Sequence, residues 1–205
     1  MKTLRLLATA SLIVVSLQGL RAVPLNYDIG TGSSVTANTS NSGLTIHTSL
    51  VAGLSSVAFT LNDGQSTTFS FFDIWTNEED VNGNDTTPKS ISAYLDFAIP
   101  SPNSGTTVNG DTYGVVTGFM GKVQYGTVVW DGPVTVTAAD RTFQITLSNE
   151  TFNYGDHWDL GCVGATVEAT VKQLRSPTTV PETSATLSLL GLGMLMIVGF
   201  RRRIA

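Results

Sequence analysis

Cysteine occurs once in this chain of 205 residues, at position 162, and histidine twice, at 47 and 157. A single thiol excludes an intramolecular disulfide, so an exported domain built from this chain must stand on its hydrophobic core. Among Val, Ala and Gly neighbours, Cys162 reads as a small buried apolar residue rather than a reactive thiol. His47 and His157 fit no metal-ligand spacing. His157 lies between carboxylates in Asp156-His157-Trp158-Asp159, but no Gly-x-Ser-x-Gly turn offers it a nucleophile, so it reads as a loop residue with a local hydrogen bond. Charge is also sparse, at 13% of residues, and six of the 11 bases (Lys2, Arg5, Arg21, Arg201, Arg202, Arg203) lie in the terminal segments. The other five, Lys89, Lys122, Arg141, Lys172 and Arg175, face nearly all of the 16 acids. A body this acidic repels phosphate backbones, which excludes nucleic acid as a partner. No amphipathic helix is legible between the two ends.

The ends themselves read as signals. Lys2 and Arg5 precede an uncharged apolar stretch, Leu6 to Leu20, and Arg21-Ala22 then leads into Val23-Pro24. This is the order of a secretory signal peptide over residues 1–22, with cleavage after Ala22. At the other end, residues 176–184 form a polar linker and a short motif, Val180-Pro181-Glu182-Thr183. An uncharged apolar segment, Ala185 to Phe200, follows and is closed by Arg201-Arg202-Arg203 within the basic tail 201–205. At 1.5 Å per residue a helix over this segment would cover about 25 Å, enough for a thin bilayer. The arginines would stop transfer and leave the body outside the membrane. The sequence thus predicts a transmembrane helix over 185–200.

Residues 23–175 read as strands. Ile91, Ala93, Leu95, Phe97 and Ile99 alternate with Ser92, Tyr94 and Asp96 in a run from Ser90 to Ile99. Thr142–Leu147 and Cys162–Gln173 alternate in the same way. Further runs are Leu44–Leu50, Ser56–Leu61, Thr67–Trp75, Thr112–Phe119, Lys122–Trp130 and Val134–Ala138, the last two joined by a hairpin-like Asp131-Gly132-Pro133. About nine strands with one polar face each predict an all-β, two-sheet antiparallel sandwich of jelly-roll kind. Thr31 to Gly43, rich in Ser, Thr, Asn and Gly, reads as a mobile arm or a sheet edge.

Three groups of residues carry candidate chemistry. Glu78 to Asp85 is the densest set of oxygen ligands, and Asp80, Asn82 and Asn84 have the spacing that opens a calcium loop. Asp85 stands where such a loop needs Gly, and no Glu closes it at the twelfth position, so a solvated acidic turn competes with a Ca²⁺ site. Trp75, Trp130 and Trp158 fall at strand ends or in loops, where aromatic rings either stack on sugars or pack locally. Glu78, Glu79, Glu150 and Glu168 are the carboxylates from which a glycosidase pair would have to come, although Glu168 lies on the outward face of its strand. No cofactor and no catalytic residue is expected.

The tail resembles the PEP-CTERM class of sorting signals of Gram-negative bacteria. Val180-Pro181-Glu182, the Leu189-Leu190-Gly191-Leu192-Gly193 run and Arg201–Arg203 carry the likeness. Thr183 stands in place of the usual second Pro, as in the related Val-Pro-Asp-Ser-Gly variant, where a small hydroxyl residue follows the acid. The resemblance implies export, recognition and cleavage by an exosortase, and an association with exopolysaccharide and biofilm. Ser148 to Lys172, through Phe152-Asn153-Tyr154-Gly155 and Gly164 to Thr170, also resembles the last strands of exported β-domains that carry such tails. The expected function is therefore that of a non-enzymatic surface or extracellular-matrix protein. A carbohydrate- or calcium-dependent binding module is the alternative, and a glycan-acting hydrolase the third reading.

Overall fold

Alternation of inward apolar and outward polar side chains builds the longest strands. The computed structural model describes residues 24–38, 43–78, 80–100, 104–117, 123–138, 140–155 and 164–175. In chain order the strands are β1 (Leu25–Ile29), β2 (Ser34–Ala37), β3 (His47–Leu50), β4 (Ala58–Leu61), β5 (Ser66–Trp75), β6 (Lys89–Leu95), β7 (Phe97–Ile99), β8 (Thr106–Thr117), β9 (Val123–Trp130), β10 (Val134–Ala138), β11 (Arg141–Leu147), β12 (Glu150–Gly155) and β13 (Ala165–Arg175). A 3₁₀ turn, Leu54–Ser56, precedes β4. The fold is all-β and sandwich-like. Two five-stranded sheets have the orders β10-β11-β13-β5-β3 and β12-β9-β8-β6-β2, a three-stranded sheet has the order β4-β1-β7, and every pairing is antiparallel.

The inward faces of all three sheets meet in one core. Phe143, Ile145, Val167 and Val171 enter it from the first sheet, Ile91, Leu95, Val108 and Val128 from the second, and Tyr27, Ile29, Leu61 and Phe97 from the third. Tyr27 packs edge-on against Phe143 (5.3 Å between ring centres) and Phe97, and stacks on Phe59 (5.1 Å). Each fully buried Phe or Leu removes apolar surface worth about 1.5–3 kcal/mol from water, and such burial holds the domain without a disulfide.

Three sequence expectations change. The run Ser90–Ile99 is two strands, because Leu95, Asp96 and Phe97 are all buried in succession and the chain passes there from the second five-stranded sheet to the small one. Ile99, at the far end, is 40% exposed. The turn Asp131-Gly132-Pro133 closes no hairpin, since β9 and β10 belong to different sheets. Gly132 has a φ of +117°, a conformation that favours glycine, and carries the crossing. The Thr31–Gly43 stretch meets the sheet-edge alternative given for it, since it contributes β2, an edge strand on β6. Thirteen strands in three sheets, rather than about nine in two, make up the described residues.

Other expectations shift only at their ends: the predicted strand at 44–50 shortens to β3, and that at 112–119 lengthens toward Thr106 as β8. The last strand is seen from Ala165, with Cys162 outside the described residues. Also outside them lie the predicted signal peptide (1–22), linker and motif (176–184), membrane helix (185–200) and basic tail (201–205). Among the described residues no helix is long and apolar enough to cross a membrane.

Candidate functional site

The rim of the fold where β5 ends and β3 begins gathers several of the singled-out residues. His47 and Trp75 are paired in the β3–β5 register, and their rings stack at 5.7 Å with planes 21° apart. Asn77 lies with its side-chain amide 3.3 Å from His47 Nε2. Glu78 turns inward on its own fold: its Oε1 accepts from the Thr45 N–H (2.7 Å), and its N–H donates to Thr76 Oγ1 (3.1 Å). This carboxylate therefore fastens the segment before β3 to the end of β5. Trp75 is half-buried and presents part of its indole at the rim.

Beyond Glu78 the acidic loop folds down onto β8 and β9. The Val81 N–H donates to Gln124 Oε1 (2.7 Å), and the Gly114 N–H donates to the Asp85 carbonyl (2.7 Å). Gly114 makes this docking feasible, because a Cβ there would run into Val81 Cγ1 and crowd Asp85. Inside the loop, Asp85 Oδ2 accepts from the Asn82 N–H (2.7 Å), and Asn82 Oδ1 accepts from the Asn84 N–H (2.8 Å). The Asp85 N–H returns to the Asn82 carbonyl at 3.0 Å. The side-chain oxygens proposed as calcium ligands at Asn82 and Asp85 thus cap the backbone of their own turn, and Asp85 is buried. Asp80 and Asn84 are exposed. Among the described residues no group of three or more His, Cys, Asp or Glu side chains is placed to hold a metal ion.

The tryptophans do not share a face among the described residues. Trp130 is buried, its indole N–H donates to the Ser148 carbonyl (3.0 Å), and its ring meets Phe72 edge-on at 6.1 Å. That ring is used in packing, the second of the two readings given for Trp130. Trp158, with His157, lies outside the described residues, as does Glu79. Of the carboxylates considered for glycosidase chemistry, Glu168 is exposed on β13 and Glu150 opens the edge strand β12, while Glu78 serves the rim. The structure brings no two of these three together by any hydrogen bond.

A buried polar cluster escaped the sequence reading. The Tyr27 hydroxyl donates to Gln173 Oε1, and the Gln173 side-chain amide donates to the Arg175 carbonyl. The Arg141 guanidinium lies 4.9 Å from the centre of the Tyr27 ring and donates to the Asn26 carbonyl. Its Nε and Nη2 reach the Asp140 carboxylate at 2.9 and 2.5 Å. Burial pushes the Tyr27 phenol up to about 12, with the Arg141 charge working against the rise. The hydrogen bond from Arg141 holds the Asp140 carboxyl below its ordinary value, and the same bond raises Arg141. The cluster joins β1 of the small sheet to β11 and β13 of a large one, and it contains no nucleophile poised for attack. Its only sequence signal is the Asp140-Arg141 pair at a strand start, since Tyr27 and Gln173 are far apart in the chain.

No protein-family model, no curated protein and no solved structure matches the chain.

Proposed function

We propose that the chain is an exported, non-enzymatic β-domain, anchored in the membrane by its C-terminal tail until an exosortase cleaves near the motif, and contributing to the envelope or extracellular matrix. The observation that carries this reading is the three-part order of the tail: Val180-Pro181-Glu182-Thr183, the apolar run Ala185 to Phe200, and Arg201–Arg203. An exosortase and the secretion machinery are the partners this order calls for, with exopolysaccharide as the surrounding matrix. The body supports the reading in a second way. Three of its polar side chains of candidate interest, Glu78, Asn82 and Asp85, are bonded to backbone groups of the fold itself. In this account the two five-stranded sheets are the layers of a jelly-roll-like sandwich, and the small sheet closes one corner.

Fractionation of cells producing the Arg201→Ser, Arg202→Ser, Arg203→Ser variant tests retention. With the stop-transfer charge gone, the variant leaves the membrane fraction and appears in the medium or periplasm. A variant distributed like the wild type sinks the proposal.

A further inference from the structure

The chain contains two Asn-Gly pairs, Asn82-Gly83 and Asn109-Gly110, and the fold treats them in opposite ways. In such a pair the glycine nitrogen can attack the preceding side-chain amide, because no side chain on the glycine obstructs the approach. Whether it does so depends on how the backbone and the amide are held.

At Asn82 the geometry favours the attack. Asn82, Gly83 and Asn84 are exposed in a turn closed by the Asp85 N–H on the Asn82 carbonyl (3.0 Å). The Asn82 Oδ1 accepts from the Asn84 N–H at 2.8 Å. That bond folds the side chain over the Gly83 peptide and brings the amide carbon toward the Gly83 nitrogen. It also polarises the carbonyl and stabilises negative charge developing on its oxygen, as a positioned N–H donor does at any tetrahedral intermediate. At Asn109 both conditions are reversed. Asn109 Oδ1 accepts from the Ser92 hydroxyl on the neighbouring strand (2.8 Å), which draws the side chain across the sheet. Gly110 is buried in the centre of β8, paired with Ile91 on one side and Trp130 on the other. The Asn109 carbonyl also accepts from the Asp131 N–H (2.9 Å). Cyclisation there would have to break the ladder.

We propose that Asn82 is a site of spontaneous, non-enzymatic modification, and that the fold protects Asn109 from the same reaction. The Gly83 nitrogen gives its proton to solvent base and forms a bond to the Asn82 side-chain carbon, and the C–N bond to the amide nitrogen breaks, releasing ammonia. Water then opens the cyclic imide at either carbonyl, leaving aspartate or isoaspartate. The isoaspartate product routes the backbone through an additional carbon. It removes the bonds that Asn82 makes to Asp85 and Asn84, and with them the turn that presents the Asp85 carbonyl to Gly114.

The test is peptide mapping by mass spectrometry of the purified protein, incubated at mildly alkaline pH, with fragmentation that separates aspartate from isoaspartate. In the folded protein, conversion at Asn82 should exceed that at Asn109 by more than about tenfold, equivalent to one decade in rate. In a denaturant-unfolded sample the two sites should convert at similar rates. A Cβ added at Gly83 would meet nothing within 4 Å, so Gly83→Ala keeps the turn while slowing the attack, and it should suppress conversion at Asn82 alone. Equal rates at the two sites in the folded protein would overturn the proposal. So would an intact Asn82 under conditions where the unfolded chain reacts.

Discussion

The Asp96 carboxylate accepts a hydrogen bond from the Gly32 backbone N–H at 3.0 Å, across 64 positions of sequence. Asp96 also donates its own N–H to Ser33 Oγ (3.0 Å) and accepts from the Gly30 N–H at its carbonyl (2.9 Å). Residues 30–33 carry the chain from β1 to β2, and Asp96 carries it from β6 to β7. Both passages run between the small sheet and the same five-stranded sheet, so one buried carboxylate ties the two crossings together.

Removing that tie should be costly. Asp96→Ala leaves the Gly32 N–H without its acceptor and should destabilise the domain by about 1–3 kcal/mol. For a domain of this size, that is about 2–4 °C of melting temperature per kcal/mol. Asp96→Asn retains an acceptor oxygen and should lose less. Thermal melts of the two variants check the order, and equal stability of Asp96→Ala and wild type would contradict it.

Alkaline pH should act through Tyr27. Its folded-state value of about 12 lies above the ordinary 10.0 of a tyrosine. The folded state therefore holds the proton more tightly than the unfolded chain. The resulting stability is fully present below pH 10, declines as pH rises above it, and is lost by about pH 12. Tyr27→Phe should flatten that decline, and at neutral pH it should cost about 1 kcal/mol through the lost bond to Gln173. Denaturant melts of both proteins across this range are the measurement. Parallel pH profiles would show that Tyr27 is not responsible.

Calcium should leave the melting temperature unchanged. A site filled at 100 times Kd would add about 2.7 kcal/mol, but Asn82 Oδ1 and Asp85 Oδ2 are already bonded to the N–H groups of their own turn. Melts in CaCl₂ against NaCl of matched ionic strength test this. A rise specific to calcium would mean that the loop opens to bind the ion.

Much of the fold was legible wherever one face is apolar and the strand is long. β6, β11 and β13 alternate cleanly, and their buried positions are those that period two selects. Legibility fails where the backbone breaks the period. Phe71 and Phe72 are adjacent yet both fully buried, which alternation forbids. The β5–β13 register slips there, with Val167 opposite Phe72 and Glu168 opposite Ser70, so Phe71 is the additional residue of a β-bulge. At Asp96 a sheet crossing put a charged residue inside, which composition alone reads as outward. Short β2 has no strong apolar face, and only its pairing with β6 marks it as a strand. The candidate residues were individually visible, but their partners were not: nothing in the sequence joins Glu78 to Thr45, or Trp130 to Ser148. The tail signal, in contrast, lies in the order of residue types and needs no tertiary contact to be read.

The most direct test is the intact mass of the exported protein from cells producing wild type and from cells producing Pro181→Ala with Glu182→Ala. The wild-type species should begin at Val23 and lack the residues beyond the motif, while the variant keeps its apolar segment and terminal arginines. Identical masses for the two, with the tail intact in both, would contradict sorting through the Val180–Thr183 motif.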